Sequence, residues 1–311
     1  MRMNMKKIGI IGCGFVGSTI AFDLAGGGLF SEMVLLDIDE KRAHGEAMDL
    51  SHGLPFSGPM QIYQGKYKDL AECGIIIIAA GANQKPGETR PELLGRNRVI
   101  MNSIVKQLLL YNKDCILIVV SNPVDVLTRM VYEASGFPPE RVIGSGTVLD
   151  TARLKYLLGE RFSVDIRNVH AFIIGEHGDE EFAVWSSANI SGIDLDDFCK
   201  LRQNCDFEKM KPEIREQVVN SAYRIIEGKG ATYYGIAKAV GKIVECIVKD
   251  QHSILPVSVL VDGHYGLHDI YMSLPVILGK NGVEQILDFD LNEEEQAHLE
   301  NAAEHLKQMD E

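Results

Sequence analysis

Short apolar runs without polar alternation recur through the first half of the chain, each followed by a stretch compatible with a helix. The runs are KIGII, VLLD, IIIIAAG and CILIVVSNP. A run apolar at every position suits a strand covered on both faces, and strands alternating with helices build a parallel sheet. Ile75 to Ile78 is the clearest such strand. After about residue 145 the rhythm changes. Helices are expected near Asp150 to Leu158, Pro212 to Glu227 and Ala231 to Lys249, with a strand around Val169 to Ile174. Two β-rich stretches, Ile254 to Val261 and Ile270 to Leu278, flank the turn-like DGHYGLHD. The division expected is a domain over 1–145 and a second, α+β domain over 146–311.

Two segments depart from this rhythm. Gly81 to Gly95, GANQKPGETRPELLG, is rich in glycine, proline and charge directly after a buried strand, which predicts a mobile functional loop. At the other end Asn292 is placed to cap a terminal helix with Glu293, Glu294 and Glu295 in its first turn, and Leu299, Ala303 and Leu306 as its buried stripe.

Composition narrows the partners. The 311 residues carry 31 basic and 44 acidic side chains, a net charge of −13, which weighs against nucleic acid or an anionic membrane as the main partner. No stretch approaches the ~18 apolar residues of a membrane span. Lys6 and Lys7 before an apolar run imitate a secretory leader, but the glycines that follow fit a phosphate loop better, so a cytoplasmic protein is expected. Cys13, Cys73, Cys115, Cys199, Cys205 and Cys246 lack CxxC pairs and are expected to be reduced, buried thiols. His264 and His268 have an i, i+4 spacing, but a glycine-rich context without a carboxylate or thiolate cluster marks turn residues; no metal is expected.

The chemistry begins at GCGFVG, where Gly12, Gly14 and Gly17 stand between a strand and a helix. Gly12 permits a tight turn, Gly14 lets a pyrophosphate approach the backbone, and Gly17 lets the helix pack closely on the strand. Asp37 closes the second strand twenty residues after Gly17, where a carboxylate accepts ribose hydroxyls and repels a 2′-phosphate. NAD is therefore the expected cofactor, and the first domain a Rossmann-type doubly wound sheet. Phe15 and Val16 within the motif, and Gly81 with Ala82 after the isoleucine strand, are expected to line the same site. Flavin- and SAM-dependent proteins share parts of this pattern, so it does not determine the reaction.

Further polar residues sit at the ends of apolar runs, where an open parallel sheet presents its crevice. They are Arg90, Asn122 in SNPVD, Asp150 with Arg153 in LDTAR, and His177 in GEHGD. With these motifs in this order over essentially its whole length, the chain resembles the lactate/malate dehydrogenase family, and within it the bacterial L-lactate-type members. The resemblance implies reversible reduction of pyruvate to L-lactate by hydride transfer from NADH. It makes His177 the proton carrier, Asp150 its partner, Arg153 the clamp on the substrate carboxylate, and Arg90 the loop arginine that polarises the carbonyl. Asn122 matches a residue contacting the reacting oxygen or the nicotinamide amide, and Thr232 a pocket-wall residue.

Specificity is assigned to Gln84, where malate-specific relatives carry an arginine for the second carboxylate. A neutral amide leaves that carboxylate unpaired, which favours pyruvate over oxaloacetate. The neighbouring Lys85 is an ammonium that a turn of the loop would bring to a dicarboxylate. The resemblance also implies a homotetramer, and an allosteric fructose 1,6-bisphosphate site at His170 and Lys155, the latter standing where many relatives have arginine. Two other readings compete: a malate or branched-chain L-2-hydroxyacid dehydrogenase on the same scaffold, and a non-catalytic dinucleotide-binding protein. The second has no use for His177, Asp150 and Arg153 together.

Overall fold

The computed structural model describes residues 3–82, 90–202 and 206–310, with Arg90 and Pro91 described by their backbone alone. Residues Asn4–Ile11 form β1, Phe15–Gly26 α1, Glu32–Leu36 β2, Glu40–Gly53 α2, Gln61–Gln64 β3 and Cys73–Ile78 β4. Then come α3 (Arg90–Leu108), β5 (Ile116–Val119), α4 (Val124–Ser135) and β6 (Val142–Gly144). These strands lie in the order β3-β2-β1-β4-β5-β6, all neighbours parallel. All six residues of β4 and all four of β5 are buried, as expected for strands covered on both faces. The order reverses direction at β1, which places a crevice beyond the carboxyl ends of β1 and β4. The segment holding Lys6 and Lys7 is thus a central strand.

The second half contains α5 (Val148–Phe162), the short strands β7 (Val169–His170), β8 (Ile173–Ile174), β9 (Phe182–Ala183), β10 (Asn189–Ile190) and β11 (Ile193–Asp194), and α6 (Leu195–Leu201). The helices α7 (Phe207–Lys229) and α8 (Tyr234–Val248) follow, then β12 (Ser253–Val261), β13 (Ile270–Gly279), β14 (Gly282–Ile286) and α9 (Glu293–Asp310). The antiparallel β12, β13 and β14 continue the parallel sheet, with Ser258 of β12 opposite Gly144 of β6. One apolar core therefore runs through the sheet into α8 and α9, while Leu154, Leu158, Phe162, Met210 and Ile214 belong to a second beneath α5 and α7. Among the described residues no helix is long and apolar enough to cross a membrane.

Several expectations are corrected. The strand expected over Val169 to Ile174 is two, because Ile173 donates its amide to Thr151 Oγ1 (2.8 Å) on α5 and β7 and β8 pair with different partners. Residues 90–95, expected within the loop, open α3. The helix expected at Pro212 begins at Phe207, capped by Asp206 accepting from Lys209 N, so the proline lies one turn inside. Cys13, Cys73, Cys115 and Cys246 are free and buried, but Cys199 is disulfide-bonded, against the expectation of reduced thiols. Pairing depends on how closely the fold brings two Cα atoms together, which spacing in the sequence does not reveal. Cys205 lies outside the described residues. The terminal helix is as expected: Asn292 Oδ1 accepts from Glu295 N (2.9 Å), Glu295 Oε2 accepts from Asn292 N (3.1 Å), and Leu299, Ala303 and Leu306 are buried.

Candidate active site

The nucleotide cradle is assembled at the end of β1. Gly12 has φ +99°, and a Cβ there would stand 2.5 Å from the Ala80 nitrogen. Only glycine satisfies both constraints. A Cβ on Gly17 would strike the Gly12 carbonyl oxygen, whereas Gly14 at the N-cap of α1 faces open space. The first amides of α1 thus point into an unobstructed volume suited to a diphosphate. Asp37, directly after β2, accepts from Cys13 N (2.7 Å) and Asp39 N (2.9 Å). It is not the cap of α2, which is Asp39, accepting from Lys41 N and Arg42 N. Each Asp37 oxygen keeps a lone pair for a ribose hydroxyl. Val16 is half-buried against the core, and the exposed Phe15 stacks on Tyr233 at 5.5 Å, joining the cradle to the turn that carries Thr232.

Gly81 and Ala82 follow β4, and the Ala82 amide donates to Asn97 Oδ1 (2.8 Å). Asn97 in turn donates through Nδ2 to the Asn122 carbonyl (3.1 Å), so a buried amide on α3 ties the two loops that flank the crevice. Nothing in the sequence separated Asn97 from any other helix asparagine. Asn122 is exposed at the entrance to α4, and Thr232 is half-buried between α7 and α8. Gln84 and Lys85 fall outside the described residues, as does the side chain of Arg90. A dinucleotide fits the residues that are described: an unblocked helix N-terminus, a glycine turn and a free-edged carboxylate.

The chemistry is gathered on α5 and the loop after β8. Asp150, in the first turn of α5 and 1% exposed, accepts from Arg153 Nη1 through Oδ1 (2.7 Å) and meets His177 Nδ1 with Oδ2 (2.7 Å). No helix amide claims this carboxylate, so it is not a cap. Arg153 is three residues on, and the i, i+3 spacing brings its guanidinium onto the same face. The His177 backbone is fixed separately, its N–H donating to Asp125 Oδ2 (2.8 Å) from α4. Burial pulls the His177 pKa down, but the Asp150 charge and hydrogen bond outweigh it and raise it to about 9. Burial likewise raises Asp125 to about 6. An imidazolium held by a carboxylate beside an arginine with a free edge can bind a small carboxylate anion and protonate its neighbouring carbonyl.

Neither Asp125, the last residue of SNPVD, nor Glu181, two residues beyond GEHGD, stood out in the sequence. Lys155, on α5, is half-buried with its pKa lowered by burial and has no hydrogen bond or ion pair among the described residues. His170 is exposed on β7, which packs against α5. His264 and His268 bind different carboxylates, Asp288 and Asp262, each at 2.8 Å.

Comparison with known proteins gives the same reading. Residues 6–144 match the NAD binding domain of lactate/malate dehydrogenase, and residues 147–311 match its alpha/beta C-terminal domain. The chain belongs to the lactate/malate dehydrogenase family. Its NAD-binding half carries Gly12, Gly14, Gly17 and Asp37, and its α/β C-terminal half Asp150, Arg153 and His177. An L-lactate dehydrogenase of Acetivibrio thermocellus is 54% identical over 98% of this chain and 96% of its own. L-lactate dehydrogenase 1 of Clostridium acetobutylicum is 52% identical over 99% and 98%. Among solved structures, a lactate dehydrogenase from a deep-sea metagenome library superposes with a TM-score of 0.95 at 45% identity, covering 99% of this chain and 98% of that one. The minor L-lactate dehydrogenase of Enterococcus mundtii also gives 0.95, at 37% identity over 98% and 97%.

Proposed function

We propose that this protein is an NAD-dependent L-lactate dehydrogenase that reduces pyruvate reversibly. The carrying observation is the convergence of His177, Asp150 and Arg153, with His177 bound at 2.7 Å to a carboxylate that also holds Arg153. Bound NADH supplies the hydride. His177, as imidazolium, donates its Nε2 proton to the carbonyl oxygen of the 2-keto acid, and as neutral imidazole removes the hydroxyl proton of lactate. Asp150 holds the ring in one orientation and stabilises its charged form. Arg153 uses one nitrogen for Asp150 and offers its remaining edge to the substrate carboxylate, a planar match that a lysine lacks. Arg90 closes over the carbonyl and stabilises the negative charge that develops there. Asn122 and Thr232 border the substrate, and Gln84 selects against a second carboxylate.

In this reading residues 1–145 bind the cofactor, with Phe15, Val16, Gly81 and Ala82 lining it, and residues 146–311 bind substrate. The enzyme is a cytoplasmic homotetramer of glucose fermentation. Lys155 and His170 form an effector site for fructose 1,6-bisphosphate, supported by a half-buried ammonium that has no anionic partner among the described residues. A panel of pyruvate, oxaloacetate and longer 2-keto acids with NADH and NADPH, with and without the bisphosphate, tests the substrate, cofactor and effector assignments. Fast NADH oxidation with pyruvate is expected; oxaloacetate used equally well defeats the Gln84 assignment, and an unchanged pyruvate saturation curve defeats the effector site.

A further inference from the structure

Glu181 is a buried acid that the mechanism above leaves without a task. It stands immediately before β9, whose pairing with β8 fixes its backbone beside the His177 loop. Its side chain is 5% exposed, and its Oε2 lies 3.9 Å from His177 Nδ1. One oxygen of Asp150, one of Glu181 and a ring nitrogen of His177 all fall within 4.8 Å of one another. Ionised carboxylates only accept hydrogen bonds. Two held this close and shielded from water disfavour double ionisation, and a proton on one of them relieves the repulsion.

Asp150 is the anion of the two, because it already takes charge-assisted hydrogen bonds from His177 and Arg153, each at 2.7 Å. We propose that Glu181 is held as an un-ionised carboxylic acid whose O–H donates to Asp150, a positioning residue that keeps the Asp150–Glu181 pair at a single negative charge. Burial and the neighbouring Asp150 charge keep Glu181 well above the usual carboxylate range, against the opposing pull of His177 and Arg153. Among the described residues, the charged or titratable groups around the His177–Glu181 cluster are Asp150 and Arg153 from α5, Asp125 from α4, and Glu176 on the His177 loop itself. With Glu181 neutral, Arg153 and Asp150 cancel and the imidazolium is set against Asp125, which binds the His177 backbone N–H. An ionised Glu181 would add a further anion and repel a carboxylate substrate.

The inference about substrate rests on the function proposed above, so the first measurement avoids turnover. An infrared difference spectrum of wild type against Glu181→Gln at neutral pH is expected to show the loss of a carboxylic-acid carbonyl band. A carboxylate band lost instead overturns the proposal, whatever the substrate is. The second measurement is the alkaline midpoint of pyruvate reduction. An acid and an amide carry the same charge, so Glu181→Gln should leave the midpoint within about half a unit, whereas removing an anion at this distance would lower it by about one unit or more. Glu181→Leu, which removes the donor to Asp150, should lower kcat about tenfold or more with little change in KM. A Leu variant matching wild type in kcat shows that Glu181 only fills space. Wild type that is inert towards pyruvate removes the substrate reading while the infrared result still decides the proton.

Discussion

Replacing Asp150 by asparagine isolates the electrostatic device at the centre of the site. His177 rises from 6.5 to about 9 although burial alone would lower it. That rise corresponds to about 3.5 kcal/mol favouring imidazolium, at ~1.4 kcal/mol per unit. At about pH 7.5 the wild-type ring is protonated roughly thirty to one. Without the carboxylate, burial remains and the pKa falls below 6.5, so fewer than about one ring in ten carries the proton at that pH. Losing the fixed ring orientation adds about another tenfold or more, giving a combined fall of about a hundredfold or more in kcat/KM for pyruvate. Following NADH absorbance across the pH range should show the alkaline limb moving from near 9 to below 6.5. A midpoint that stays near the wild-type value refutes the attribution of the shift to Asp150.

The same interaction must appear in stability, and its sign is fixed. The folded pKa lies above the ordinary 6.5, so the stabilisation is fully present below 6.5 and is lost as pH rises through about 9. Thermal unfolding of the wild type should therefore weaken over that window. Asp150→Asn should flatten the decline, because the anion responsible for it is gone.

Other substitutions probe the remaining parts of the site. Gln84→Arg should move the preference from pyruvate towards oxaloacetate by about two decades or more in the ratio of kcat/KM, since it pairs a carboxylate otherwise left without a counter-charge; an unmoved ratio removes Gln84 from the pocket. Gly17→Ala forces a methyl group into the Gly12 carbonyl oxygen, where both partners are backbone, and should cost about 1–3 kcal/mol of stability together with NADH affinity. Calorimetry and fluorescence titration check this, and native values in both dismiss the close-packing argument. Asp37→Ser removes the carboxylate that excludes a 2′-phosphate, so NADPH should gain on NADH by about tenfold or more in kcat/KM; an unchanged ratio places the ribose elsewhere.

Legibility followed chain locality. The isoleucines of β4 and the apolar run of β5 satisfy two covered faces and so announce themselves, as does the Asn292 cap of α9, whose partner Glu295 is three residues away. By contrast β3 and β6 escaped notice because strands this short carry too few residues to display a period, and their place depends on neighbours far along the chain. The site divides in the same way. Gly12, Gly14, Gly17 and Asp37 stand in a motif whose local spacing already carries chemical meaning, whereas the roles of Asp150, Arg153 and His177 were implied by the resemblance to the family. Asn97 stands in no such motif, for it acts by joining Ala82 to Asn122 across two loops. Glu181 is the instructive intermediate. It lies only four residues after His177, yet its neighbour Asp150 is thirty-one positions earlier, and the proton proposed for it follows from the fold setting an oxygen of each acid within 4.8 Å of the other. A motif can name the groups that perform a reaction, but the charge they carry is decided by tertiary neighbours. For that reason the pH dependence of this site, more than the identity of its residues, is what the structure adds.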